Sequence, residues 1–167
     1  MLKKTFVFIF SLIALSSIGQ TTQVPTPEFT DQPYIWLKES NELVELTKEI
    51  ADMKSGGMSL KAKYKFEGPS SKTKILSEKP FGFVVSTTMP QSFSSMKLYK
   101  CVQKKKYREA EFARATFGTV DINSKDAYEF KTKKLGDDVY ELVLSVELEK
   151  GEYVITNGMI TFSFSIE

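Results

Sequence analysis

The sequence predicts a mainly β chain folded as an antiparallel sandwich of two sheets. Three observations predict it. Apolar residues recur at every second position in several stretches, the period of a pleated strand with one buried face. Gly, Pro and Asn punctuate the chain at short intervals, as they do between short antiparallel strands. No run of strands alternates with long helical patterns, which excludes a βαβ array. Eight to ten short strands are expected, about the number of an immunoglobulin-like or jelly-roll-like sandwich, with at most one short helix.

The clearest stretch is Val139 to Glu167. Tyr140, Leu142, Leu144, Val146 and Leu148 alternate with polar Glu141, Ser145 and Glu147. Glu152 to Thr156 lies between two turn signals, Glu149-Lys150-Gly151 and Asn157-Gly158. Ile160, Phe162, Phe164 and Ile166 alternate with Thr161, Ser163 and Ser165. This reads as a three-stranded meander with one apolar face and one solvent face. Phe162→Asp should then cost about 4 kcal/mol or more, and Ser163→Asp less than about 1 kcal/mol.

From the start of the chain, Lys3 and Lys4 precede an apolar run, Phe6 to Ile13 extended by Ala14 and Leu15, with small residues at Ser17 and Gly19. Residues 1–19 therefore read as a signal peptide cleaved before Gln20. No cysteine follows that run, which excludes a lipidated N-terminus. Lys3 and Lys4 are the only charged residues of the leader. Without them the 23 basic side chains become 21, matching 21 acidic ones. A neutral mature chain has no overall pull toward nucleic acid or an acidic membrane. Residues 20–32, rich in Thr and Pro, read as a flexible linker, and residues 33–167 as the folded domain.

Within the domain, Tyr34 to Leu37 is a short strand. Leu43 to Met53 permits two readings. Leu43, Leu46, Ile50 and Met53 recur at helical spacing, while Leu43 to Leu46 also suits a hairpin return. Met58, Leu60, Ala62, Tyr64 and Phe66 alternate with Ser59, Lys61, Lys63 and Lys65 in a strong strand. Thr73 to Leu76 and Phe81 to Ser86 are short strands, and Thr87 to Gln91 is a loop around Pro90. Ser95 to Gln103 carries Met96, Leu98 and Val102 on one face. Tyr107 to Ala115 returns with Ala110 and Phe112 inward, Gly118 to Lys125 is a loop, and Tyr128 to Lys133 turns through Gly136-Asp137-Asp138.

Composition removes several chemistries. The chain has no histidine and one cysteine, Cys101. That excludes Ser-His-Asp and Cys-His catalysis, histidine-ligated zinc and an intramolecular disulfide. Cys101 is expected to be a buried thiol. Asp121, Asn123 and Asp126 lack the spacing and terminal Glu of a calcium loop, so neither metal nor cofactor is expected.

Leu148-Glu149-Lys150-Gly151-Glu152-Tyr153 resembles the Leu-x-Pro-Gly-x-Tyr turn of many secreted bacterial β-sandwich domains, with Lys150 in the proline position. With Gln32-Pro33-Tyr34, Gly56-Gly57, Leu98-Tyr99-Lys100 and the Phe-rich last strand, the chain is similar to a group of uncharacterised secreted bacterial single-domain β-sandwich proteins. The resemblance implies a fold and a periplasmic or extracellular location. It brings no activity and no catalytic residue.

The densest basic cluster is Lys104-Lys105-Lys106 with Tyr107 and Arg108. It is the candidate binding site, for an anionic glycan or a partner's acidic patch. The competing reading is a solvated turn whose lysines protect a sheet edge. Lys61, Lys63 and Lys65 read as an ordinary solvent face. Trp36 with Tyr34 reads as core, with a sugar-stacking platform as the other possibility. The expected function is a non-enzymatic binding, adhesion or envelope-accessory module, recognising a glycan or an envelope protein and not nucleic acid. The alternative is a hydrolase that uses two carboxylates on glycans.

Overall fold

The computed structural model describes residues 23–55, 61–116, 119–121, 127–157 and 159–167. The predicted leader, Gly56-Gly57, Met58, Leu60, Asn123 and Asp126 lie outside them. The chain is mainly β. In order it forms β1 (Pro33–Leu37), β2 (Glu42–Glu45), β3 (Thr47–Glu49), β4 (Asp52–Ser55), β5 (Lys61–Glu67), β6 (Lys74–Ile75), β7 (Phe81–Ser86), β8 (Lys97–Gln103), β9 (Tyr107–Thr116), β10 (Thr119–Asp121), β11 (Ala127–Glu129), β12 (Lys131–Gly136), β13 (Val139–Val143), β14 (Gly151–Thr156) and β15 (Thr161–Ile166). A 3-10 turn, Pro90–Ser95, follows β7.

Two sheets form the expected sandwich. The smaller runs β12-β13-β7-β1-β2, and the larger runs β3-β15-β14-β8-β9-β5-β4. Strand β6 adds parallel to β15, β10 pairs with β9, and β11 pairs with β8. The outer strands of the larger sheet, β3 and β4, are consecutive in the chain, separated by Ile50 and Ala51. One edge therefore leads straight into the other, and the sheet curls on itself.

The curl gives the larger sheet two buried faces. Between the sheets lies a core of Ile35, Phe83, Val85 and Leu142 from one side and Leu98, Ile155, Phe162 and Phe164 from the other. Phe164 stacks on Tyr153 at 5.4 Å between ring centroids and meets Phe83 at 5.3 Å. Phe93 in the 3-10 turn and Met96 after it pack into this core. Inside the curl lies a second cluster of Tyr64, Phe66, Tyr99, Cys101, Ala110 and Val154. Odd and even positions of β8 thus feed different cores, Leu98 one and Tyr99 the other, and β14 does the same with Ile155 and Val154.

The last strand shows the same arrangement and corrects an expectation. Phe162, Phe164 and Ile166 face the sandwich core, as predicted. Thr161, Ser163 and Ser165 do not face solvent; they are buried inside the curl. Ser163→Asp is therefore not a mild change.

The meander is also corrected. Strands β14 and β15 form the predicted hairpin, from Gly151 opposite Ile166 to Thr156 opposite Thr161. Strand β13 instead belongs to the smaller sheet, between β12 and β7, and the chain crosses to the facing sheet over residues 144–150. Alternation reports which face of a strand is buried, and either arrangement buries the same side chains.

Leu43 to Met53 resolves into strands, with no helix. Leu46 is buried, while Ile50 and Met53 are exposed. Val102 does not share the burial of Met96 and Leu98; at the end of β8 it is exposed. Trp36 is not core. Ile35 and Leu37 point into the sandwich, so Trp36 sits half-buried on the outer face, its Nε1 donating to Asn41 Oδ1 at 3.0 Å. Part of the segment read as a linker lies against the domain. Pro27 is buried, Thr30 bridges to Ser86, and Asp31 N donates to Ser86 O at 2.8 Å.

Candidate functional site

Arg108 stands apart from the basic cluster to which sequence position assigns it. Strand β9 alternates, and Arg108 falls on the face of Ala110, inside the curl, where it is 0% exposed. Its Nη1 donates to the backbone oxygens of Glu67 at 3.0 Å, Gly68 at 3.3 Å and Ser70 at 3.3 Å. Its Nη2 donates to the Glu49 carboxylate, and to Ser163 Oγ at 3.2 Å. Nε lies 3.7 Å from Glu152 Oε2, and the guanidinium sits 5.4 Å from the Phe66 ring centroid. An always-charged fork buried this deeply needs such partners.

A serine network surrounds the pair. Ser71 N donates to Glu152 Oε2 at 2.8 Å, and Ser165 Oγ donates to Glu152 Oε1. Ser163 Oγ donates to Glu49 Oε1 at 2.9 Å and is 2.7 Å from Ser71 Oγ. Arg108 Nε makes no hydrogen bond among the described residues, and the other charges and hydroxyls are committed to one another. The network ties β3, β9, β14, β15 and the loop at 68–71 together from within, and it is structural.

Cys101 is buried as expected. Burial pushes its thiol up to about 12, against a lowering by nearby Arg108. The Tyr99 phenol is likewise pushed up to about 12, mainly by burial. A neutral thiol is a poor nucleophile.

The remainder of the predicted cluster is a surface turn. Lys104, Lys105 and Lys106 are exposed between β8 and β9, and Lys104 N donates to Tyr107 O at 2.8 Å. None of the three forms an ion pair among the described residues. Lys65 Nζ lies 4.3 Å from the Tyr107 ring centroid. Asp52 and Glu67 border the same shallow hollow, so its charge is mixed. Lys61 and Lys63 pair across the strands with Glu111 and Glu109, the arrangement of a solvated face.

A recess with apolar side chains in its walls lies elsewhere. At one end of the sandwich, the loop before β7 and the crossover after β13 enclose a groove of about 500 Å3. Phe81, Leu144, Val146 and Leu148 supply its apolar walls, and Glu78, Lys79 and Glu147 its charged rim. Glu141 borders it too, held by Lys38 Nζ at 3.1 Å and Lys133 Nζ at 3.9 Å. Gly82 opens the space that the Lys38 side chain fills, since a Cβ there would lie 3.1 Å from Lys38 Cε.

Sequence reading missed this groove because its walls come from segments about sixty residues apart. It also missed the acidic partners of Arg108, although one signal was available. The alternation of the two strands on either side of the last turn signal suits a hairpin, and the hairpin places Glu152 opposite Ser165.

Among the described residues no three acidic or cysteine side chains cluster as metal ligands, and no helix is long and apolar enough to cross a membrane. No family model, curated protein or solved structure matches the chain.

Proposed function

We propose that the chain is an exported, non-enzymatic binding module and that the groove at the end of the sandwich takes its ligand. The observation that carries this reading is the groove itself, a recess of ligand-binding size in which apolar side chains stand beside charged ones. The buried groups of reactive type lie away from it, Cys101 in the core inside the curl and the serines in the network around Arg108. The exported location rests on the leader-like residues 1–19 and on the resemblance to secreted β-sandwich proteins.

The ligand expected is one with an apolar or sugar-ring face and a polar end, a class that includes the glycan or envelope-protein segment anticipated above. A glycan and peptide array probed with the purified protein tests this. Val146→Glu, an exposed wall residue, should abolish any hit, while Lys105→Glu should keep it. Hits that survive Val146→Glu would overturn the assignment to the groove. The hydrolase alternative draws on the same place, because Glu78, Glu141 and Glu147 all border it. Release of reducing sugar from a glycan panel, lost in Glu141→Gln, would replace the binding reading with that one.

A further inference from the structure

The seam of the curled sheet carries a second surface, unrelated to the groove. Ile50 is 93% exposed and Met159 89%, with Met53 at 63% and Ile160 at 37% beside them. The register that pairs Glu49 with Thr161 continues to bring Ile50 beside Ile160. The turn that presents Met159 is firmly made. Asn157 Oδ1 accepts from the N–H groups of Met159 and Ile160, both at 3.0 Å, and Thr156 Oγ1 donates to Ile160 O at 2.9 Å. Hydrogen-bonded backbone at Met159 and Ile160 thus holds large apolar side chains out in water, which soluble surfaces rarely do in a cluster.

The polar groups beneath the tip are already satisfied. Thr161 Oγ1 bonds Glu49 O, and the Glu49 carboxylate is held by Arg108 and Ser163. The buried carboxylate and hydroxyl beneath the tip therefore offer a ligand no unfilled partner, and the exposed polar side chain left at its border is that of Lys48. Ile50, Met53, Met159 and Ile160 border a hollow of about 390 Å3 together with Lys48, with Ile50 and Met159 nearly wholly exposed at its edge. A projecting side chain suits a medium that closes around it without a preformed complement. Lys48 and Lys54, both exposed and without an ion pair among the described residues, flank the tip at its base, and Asp52 lies between them.

We propose that this tip docks on a phospholipid surface. Ile50 and Met159 enter the boundary between headgroups and acyl chains, and Lys48 and Lys54 meet the lipid phosphates. The lysines add attraction to anionic lipid, and the apolar side chains bind either kind.

The test places an environment-sensitive fluorophore at the tip. Cys101 is buried, so a thiol label on Met159→Cys in the full chain is selective. Phosphatidylcholine vesicles, with and without phosphatidylglycerol, should raise and blue-shift its emission. The same label on Lys105→Cys should not respond. Ile50→Ser should weaken partitioning by about tenfold on both vesicle types. Lys48→Glu with Lys54→Glu should weaken it chiefly on the anionic ones. All compared chains share residues 1–22, so a difference among them belongs to the tip. No response at position 159, or a response unchanged by Ile50→Ser, overturns the proposal. A blue shift that grows with protein concentration in the absence of vesicles also overturns it, because a second copy would then be covering the tip.

Discussion

Replacing Arg108 with methionine removes the buried cation from the inside of the curled sheet and leaves its partners in place. Glu49 and Glu152, with side chains 18% and 8% exposed, would become buried carboxylates facing each other across the lost guanidinium. Breaking a buried ion pair on one side costs about 3–5 kcal/mol. The backbone oxygens of Glu67, Gly68 and Ser70 also lose their donor, and each adds about 1–3 kcal/mol unless water reaches it. The total is at least about 4 kcal/mol, a large part of a domain's usual 5–15 kcal/mol. With a urea slope of about 1–3 kcal/mol/M, the unfolding midpoint should fall by about 2 M. Lys105→Met, three positions away in the same run of basic residues, should move it by less than about 0.3 M, because an exposed lysine without an ion pair holds little. Urea titrations of both variants followed by circular dichroism make the comparison. Adding Glu49→Gln and Glu152→Gln to Arg108→Met should recover part of the loss, since the penalty lies mainly in unpaired charge. Equal midpoints for Arg108→Met and Lys105→Met would refute the account of the interior.

Three further outcomes are expected. Phe162→Asp and Ser163→Asp should each cost about 3 kcal/mol or more, the second because its carboxylate would sit against Glu49; a harmless Ser163→Asp in thermal melts would mean the curl is open to water. Cys101 and Tyr99 have folded-state values raised to about 12 from 9.0 and 10.0. Their contribution is whole below about pH 9 and is lost as pH rises toward 12, at about 1.4 kcal/mol per unit for each group. Cys101→Ala should therefore lose stability less steeply over that window, and parallel pH profiles of the two proteins would contradict the burial. Arg114, foremost, and Lys61 hold Glu111 below its ordinary value. The resulting stability, under about 1 kcal/mol for so exposed a set of cations, is present above about pH 4.5 and is lost as pH falls through the lowered value. The gap in urea midpoint between wild type and Glu111→Gln should close on acidification, and a gap that widened would reverse the sign.

Strand positions were legible in the sequence where one period dominated. Phe162, Phe164 and Ile166 lie on the sandwich face that alternation assigns them, and Tyr64 and Phe66 are buried as a pair. The partners of each strand were not legible. Whether β13 stays beside β14 or crosses to the facing sheet changes no side chain's burial, so no pattern records it. The curl was hidden for a related reason. A polar row such as Thr161, Ser163 and Ser165 ordinarily signals water, and here it meets Arg108 and Glu49, drawn from strands distant in sequence, and Glu152 across the hairpin. Arg108 itself was grouped by neighbourhood with Lys104, Lys105 and Lys106, but the β-strand period separates it from them as soon as the turn ends. The groove was out of reach because Phe81 and Val146 are adjacent only in space.

The way β3 runs through Ile50 and Ala51 into β4 sets the order in which the protein can be completed. Thr161 Oγ1 bonds Glu49 O across 112 residues of sequence, so the ring cannot close until the last strand is made. A chain emerging from its N-terminus holds Arg108 for some time without Glu152 or Ser163, with the edges of β3 and β8 still open to other chains. Such an intermediate is the species most prone to aggregate and the one a holdase would bind. Once β15 is laid down, the larger sheet has little edge left to template another strand. The smaller sheet ends in strands that bear Glu42 and Glu45 on one side and Lys131, Lys133 and Lys134 on the other, charges that discourage pairing with a neighbour. The hazard is thus concentrated in the interval before the final six-residue strand arrives, and a C-terminal truncation as short as that strand should turn a soluble protein into an aggregating one.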